Sequence, residues 1–247
     1  MGRWRLEWAR IWRTRRVVAL GATFLVLGFG LPLMTYYLPD LIKNSNSGLR
    51  ITVSRQTAAD AMRGFAGNVG QLGTLLVAVV AAANVSVDGN PALARFYRSR
   101  VDQPIRLVVP RYLMVTAASI GALALGTLAA AYETRLLFGP FSLGAVAVGF
   151  ALQSAWLCFV TSAVTFFASV VRGVVGVVGA SVAFFLGLAL VGSMASNVSW
   201  LPTRLAASGA ALLDHPAGNL WQAVVVCSVA SAAALGCAVV RFGRREL

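Results

Sequence analysis

The chain has 247 residues, of which 58% are hydrophobic and only 12% charged, with a formal net charge of +13. That balance excludes an ordinary soluble domain. The basic residues stand at the ends of apolar runs rather than on one aromatic-interleaved face, so the charge does not point to nucleic acid as a partner either.

Six stretches lack Asp, Glu, Lys, Arg and His altogether: 17–39, 64–87, 112–132, 136–171, 173–203 and 216–240. About 20 apolar residues of helix cross the hydrocarbon core of a bilayer. The shortest stretch, at 21 residues, is just long enough, and the longest, at 36, is too long for one crossing. Each far exceeds the ~10 residues of a barrel strand and lacks alternating polarity. The expected fold is therefore all-α: a polytopic membrane protein with six transmembrane helices in a single domain over 1–247. The expected spans lie near 17–37, 65–87, 111–132, 141–169, 173–195 and 217–240.

Before the first span, Trp4, Trp8 and Trp12 recur every four residues among arginines. Trp favours the headgroup level and Arg the lipid phosphates, so residues 1–16 are expected to form an amphipathic interfacial helix on the bilayer. A helical extension packed on another protein is the alternative. The basic start and apolar run resemble a signal peptide, but the run is long and no small-x-small cleavage site follows it, so it is read as a retained span.

A polar, turn-rich segment over 38–63 leads to the second span. There Gly67, Gly70 and Gly73 recur at threes, with Asn68, Gln71 and Thr74 on the adjoining stripe. Small residues let helices approach closely, and amides inside a membrane seek a partner or water. Asn68, Gln71 and Thr74 are thus candidates to face a pathway or subunit seam, with ordinary helix packing as the equal alternative.

The segment 88–111 reads as a capped amphipathic helix of about three turns, from Asn90 and Pro91 to Asp102, closed by Pro104 and Pro110. Leu93, Phe96, Tyr97 and Val101 share one side, while Arg95 and Arg98 fall elsewhere. A solvated basic loop is the competing description. Span three is expected to end at Tyr132-Glu-Thr-Arg135, a tight connection with a compensating charge pair. Gly139-Pro140 then breaks the longest stretch, so that span four starts near Phe141. Gln153 is polar inside span four, beside Ser154 and Trp156. Arg172 alone separates spans four and five, and Gly173, Gly176, Gly179 and Ala180 open span five. Residues 203–213 suit a short helix dipping into the interface, and the last span ends at Arg241-Phe-Gly-Arg-Arg-Glu-Leu247.

Lys and Arg collect on the cytoplasmic side of membrane proteins. With the N-terminus inside, cytoplasmic segments hold 15 of the 21 basic residues. Both termini are therefore expected to be cytoplasmic. No internal repeat of the kind common in secondary transporters is visible.

The spans carry no Asp, Glu, Lys, Arg or His between their charged ends, and His215 is the sole histidine. No metal site, histidine triad or mid-membrane proton relay is expected, and the chain is not read as an enzyme. Cys158, Cys227 and Cys237 lie in apolar spans as small hydrophobes. The Asn-x-Ser matches at Asn84 and Asn197 are not evidence of glycosylation. A phosphate loop needs a lysine, and the only one, Lys43, lies in the first external segment. Any energy for uphill movement must come from another polypeptide.

This organisation resembles the permease subunits of ABC-type exporters, in the six-span class that includes multidrug and lantibiotic exporters. The shared parts are the leading Trp4, Trp8, Trp12 helix, a long first external segment, a cytoplasmic helix between spans two and three, and the short turn at Arg172. An outer helical element after span five and the terminal Phe242-Gly-Arg-Arg-Glu-Leu247 complete the likeness. Asp88-Gly89 and Pro104-Ile-Arg106 look like the family's glutamate-glycine and proline-basic positions, with aspartate in place of glutamate. The resemblance implies a second permease, identical or related, and soluble ATPase subunits that bind ATP and Mg. It makes Pro91 to Asp102 a coupling helix, with Asp88, Arg95, Phe96, Arg98 and Arg100 at the ATPase contact. It also places Asn68, Gln71 and Thr74 of span two, with Phe184 and Phe185 of span five, beside the substrate. Direction of transport, outward, follows from the resemblance. The alternative is a non-transporting membrane anchor or assembly subunit of another complex. Arg outnumbers Lys 20 to one, with heavy use of Ala, Val and Gly. This usage points to a GC-rich bacterium and its cytoplasmic membrane.

Overall fold

The computed structural model describes residues 15–44, 56–86, 105–194, 200–206 and 220–244. Among them every regular element is helical, and six helices are long and apolar enough to cross a membrane. The protein is an integral membrane protein with six spans: Arg16–Pro39, Ala58–Val85, Val108–Phe138, Leu143–Val170, Val174–Met194 and Leu220–Arg244. The helix of span one runs on to Asn44 and that of span three begins at Ile105. The interfacial helix with Trp4, Trp8 and Trp12 lies outside the described residues, as does the segment holding Asp88, Arg95, Phe96, Arg98 and Arg100.

Helix ends follow local chemistry more closely than charge. Span two begins at Ala58 rather than near 65, because Thr57 and Asp60 form a capping box that starts the helix among polar residues. Span three continues through Tyr132-Glu-Thr-Arg135, which ride in its last turns instead of forming a connection. The reversal comes at Gly139, whose φ of +94° suits glycine, and Ser142 caps span four by accepting from the Ala145 amide. Pro110, expected to end the preceding segment, lies inside the helix. As the sixth residue of that helix it lies past the first turn, so its missing N–H removes one i→i−4 hydrogen bond. The turn at Arg172 closes on Gly173, with φ +82°.

Span four is the hub, touching spans two, three, five and six, while the most extensive single pairing is span one with span three. Lipid tails are as apolar as leucine, so close backbone approach has to drive such pairings. Gly28 and Gly126 supply it: a Cβ at Gly28 would collide with the Gly126 carbonyl oxygen, and one at Gly126 would sit 2.7 Å from that of Phe24. The core runs through Leu20, Phe24, Phe65, Val77, Leu123, Leu157, Val160 and Val164, all essentially inaccessible. Buried hydroxyls at Ser119, Thr127, Thr165 and Ser181 donate to the carbonyl four residues back, which meets their needs inside a helix.

Two basic span ends meet neighbouring spans. Arg16 Nη1 donates to the Ala83 carbonyl at 2.8 Å and lies 3.5 Å from Asn84 Oδ1, joining the start of span one to the end of span two. Arg241, near the end of span six, shares a cleft with Val170 beside the Arg172 turn.

Candidate functional site

Span two is not a continuous α-helix. Residues Val69–Gly73 form a π-helical segment between Ala58–Asn68 and Thr74–Val85. A widened turn takes one more residue than an α-turn, which shifts everything beyond it by about 100° around the axis. Glycine at 70 and 73 tolerates this, and neighbouring elements occupy the space. A Cβ at Gly70 would lie 2.6 Å from the Ala206 carbonyl oxygen, and one at Gly73 would lie 3.1 Å from the Phe24 ring. Gly67 has nothing within 4 Å.

The shift also divides the polar stripe. Gln71 is exposed, Asn68 half-buried and Thr74 buried at 3% accessibility. Asn68 Nδ2 donates to the Gly64 carbonyl at 2.9 Å, and Thr74 Oγ1 donates to that of Gly70 at 2.6 Å. Of the three, only Gln71 is exposed, beside the exposed Leu72.

Span four clamps the π segment from inside the bundle. Gln153, 4% accessible, donates from Nε2 to the Ala66 carbonyl at 3.0 Å and approaches that of Ala206 at 3.5 Å. One helical turn on, Trp156 Nε1 donates to Thr74 Oγ1 at 2.8 Å. The third wall is the short helical stretch 203–206, whose Leu205 is fully buried and whose Thr203 packs on Gly192 of span five. Residues 207–213 of the expected interfacial helix lie outside the described set.

From Trp156 an aromatic seam leads to span five. Its ring stands 6.0 Å from Phe185, edge to face, and 5.5 Å from Phe159. Phe184 contacts Phe185 at 5.2 Å and Phe167 at 5.4 Å. Phe185 is buried, whereas Phe184 keeps 38% of its surface. The π segment of span two and the outward face of span five are thus linked through one tryptophan.

The site offers amides, hydroxyls and aromatic faces. Its charged neighbours, Asp60 and Arg63, pair at 3.0 Å in the first turns of span two. Among the described residues no three His, Cys, Asp or Glu side chains converge in a way that could hold a metal ion. Sequence reasoning located Gln153, Trp156 and the glycines but not their meeting. The available signal was a second amide, in span four, with no partner in its own helix.

No family model and no solved structure matches this chain. It is similar to an uncharacterized transmembrane protein, YxlG, of Bacillus subtilis (strain 168), at 24% identity over 217 residues, covering 85% of this chain and 83% of the relative.

Proposed function

We propose that this chain is the membrane-spanning permease subunit of an ATP-driven ABC exporter in a bacterial cytoplasmic membrane. It forms the pathway with a second permease and is powered by separate ATPase subunits that bind ATP and Mg. In this reading both termini are cytoplasmic and the chain itself hydrolyses nothing.

The observation that carries the reading is the state of spans two and five. Span five fully buries only the stripe Val177, Ser181, Phe185 and exposes Val175, Leu186, Leu190 and Val191, with Gly179 and Gly187 open to any approaching surface. Small residues of this kind favour helix association in lipid. Span two, its neighbour, carries the π segment, a helix irregularity frequent at functional sites. Together these two spans supply a deformable polar element and a face suited to a second permease. A pathway lined by Gln71 and Phe184, without fixed charge, suits amphipathic or apolar molecules.

The test is purification of the intact complex from its native membrane. A co-purifying ATPase with a phosphate loop, and ATP-dependent movement of an apolar probe in vesicles, are the expected results. Recovery of the chain with a complex that contains no ATPase would remove the reading in favour of an anchor subunit. Charge reversal by Arg95→Glu with Arg98→Glu should weaken ATPase retention, and a reporter after Leu247 should read as cytoplasmic.

A further inference from the structure

A cleft of about 680 Å³ opens between the basic ends of spans four and six. Phe166, Phe167 and Val170 form one wall and Gly236, Cys237 and Val240 the other, with Arg241 at the rim. The lining is otherwise apolar. Arg241 is exposed, as are Arg244 on the same helix and Arg172 two residues beyond Val170.

We infer that this cleft is a binding site for an anionic phospholipid, one acyl chain lying between spans four and six and the phosphate resting on Arg241. An apolar slot capped by a guanidinium matches both halves of such a lipid, since basic pockets between spans recognise anionic headgroups and guanidinium pairs bidentately with phosphate. The neighbouring Arg172 and Arg244 raise the local positive potential and favour an anionic over a zwitterionic headgroup. The same charges disfavour the chain's own residues 1–14, whose four arginines would be brought against them. The inference is independent of the transport reading, because it requires only the two spans.

Native mass spectrometry of the full chain, with any subunits that accompany it, tests this by titration with phosphatidylglycerol and phosphatidylcholine of identical chains. Phosphatidylglycerol should bind about fivefold or more tightly, the worth of one charge at a membrane surface. Arg241→Gln should reduce that preference severalfold while leaving apolar binding, and Gly236→Phe should lower binding of both lipids. A Cβ at Gly236 meets nothing within 4 Å, so the larger side chain fills the cleft without a clash that unfolds the bundle. Equal headgroup preference in wild type and Arg241→Gln, or unchanged binding in Gly236→Phe, would overturn the proposal. So would efficient disulfide formation of the exposed Cys237 with a second copy or with a Trp8→Cys variant, since either assigns the cleft to another occupant.

Discussion

Gln153 and Ala66 meet across spans four and two, where the side-chain amide of one donates to the backbone carbonyl of the other at 3.0 Å. Gln153 is buried, so its amide finds in the Ala66 carbonyl, which also accepts from the Val69 amide, the partner that water cannot supply. The contact lies three residues before the π segment and ties that part of span two to span four. Gln153→Leu should cost about 0.5–1.5 kcal/mol of stability, the net worth of one hydrogen bond, because the Ala66 carbonyl still accepts from the Val69 amide. Thermal unfolding in detergent checks it; a melting temperature equal to or above wild type would show that the amide contributes nothing to the fold.

The Trp156 to Thr74 hydrogen bond at 2.8 Å is the second tie between these spans. A double-mutant cycle with Trp156→Phe and Thr74→Val should give a coupling of about 0.5–1.5 kcal/mol, as for interhelical hydrogen bonds in membranes. Additivity within error would show that the two residues act separately.

Three glycines of span two should respond differently to one substitution. Gly67→Leu should insert and assemble normally, because nothing stands within 4 Å of the added Cβ. Gly70→Leu should damage the protein, since the Ala206 backbone would lie 2.6 Å from that atom. Gly73→Leu should be intermediate, because the nearest atom, at 3.1 Å, belongs to a side chain, the Phe24 ring. Expression and monodispersity in detergent rank the three; equal behaviour of Gly67→Leu and Gly70→Leu would contradict the packing described.

Accessibility divides the polar stripe in a way labelling can read. In detergent solution a cysteine at 71 should react with a water-soluble maleimide, and one at 74 should resist until the protein unfolds, because Gln71 is exposed and Thr74 buried. Comparable rates at both positions would place the stripe on one accessible face.

The paired phenylalanines separate packing from pathway. Phe185→Ala should destabilise by about 3–5 kcal/mol, the usual cost of deleting a buried ring. Phe184→Ala should cost far less and, under the proposed function, weaken handling of apolar substrates. Equal stability losses, measured by unfolding of the two variants, would mean that Phe184 is as much a part of the core as Phe185.

The number of spans, their helical form and the places where charge bounds them were legible from the sequence, because hydrocarbon admits only long apolar segments whose backbone hydrogen bonds close within themselves. That rule acts on each stretch alone and needs no partner. The glycines of span two and the amide of Gln153 were visible as residues. Their arrangement was not, because the π turn alters the periodicity on which any stripe drawn at 100° per residue depends. Whether Thr74 faces a cavity or Trp156, and whether Gly70 meets another span or the backbone of Ala206, depends on residues more than 80 positions away in sequence. Within the membrane, apolar transfer selects which segments enter but not which faces meet; only close packing and the pairing of stranded polar groups decide that, and both exist only in the assembled bundle.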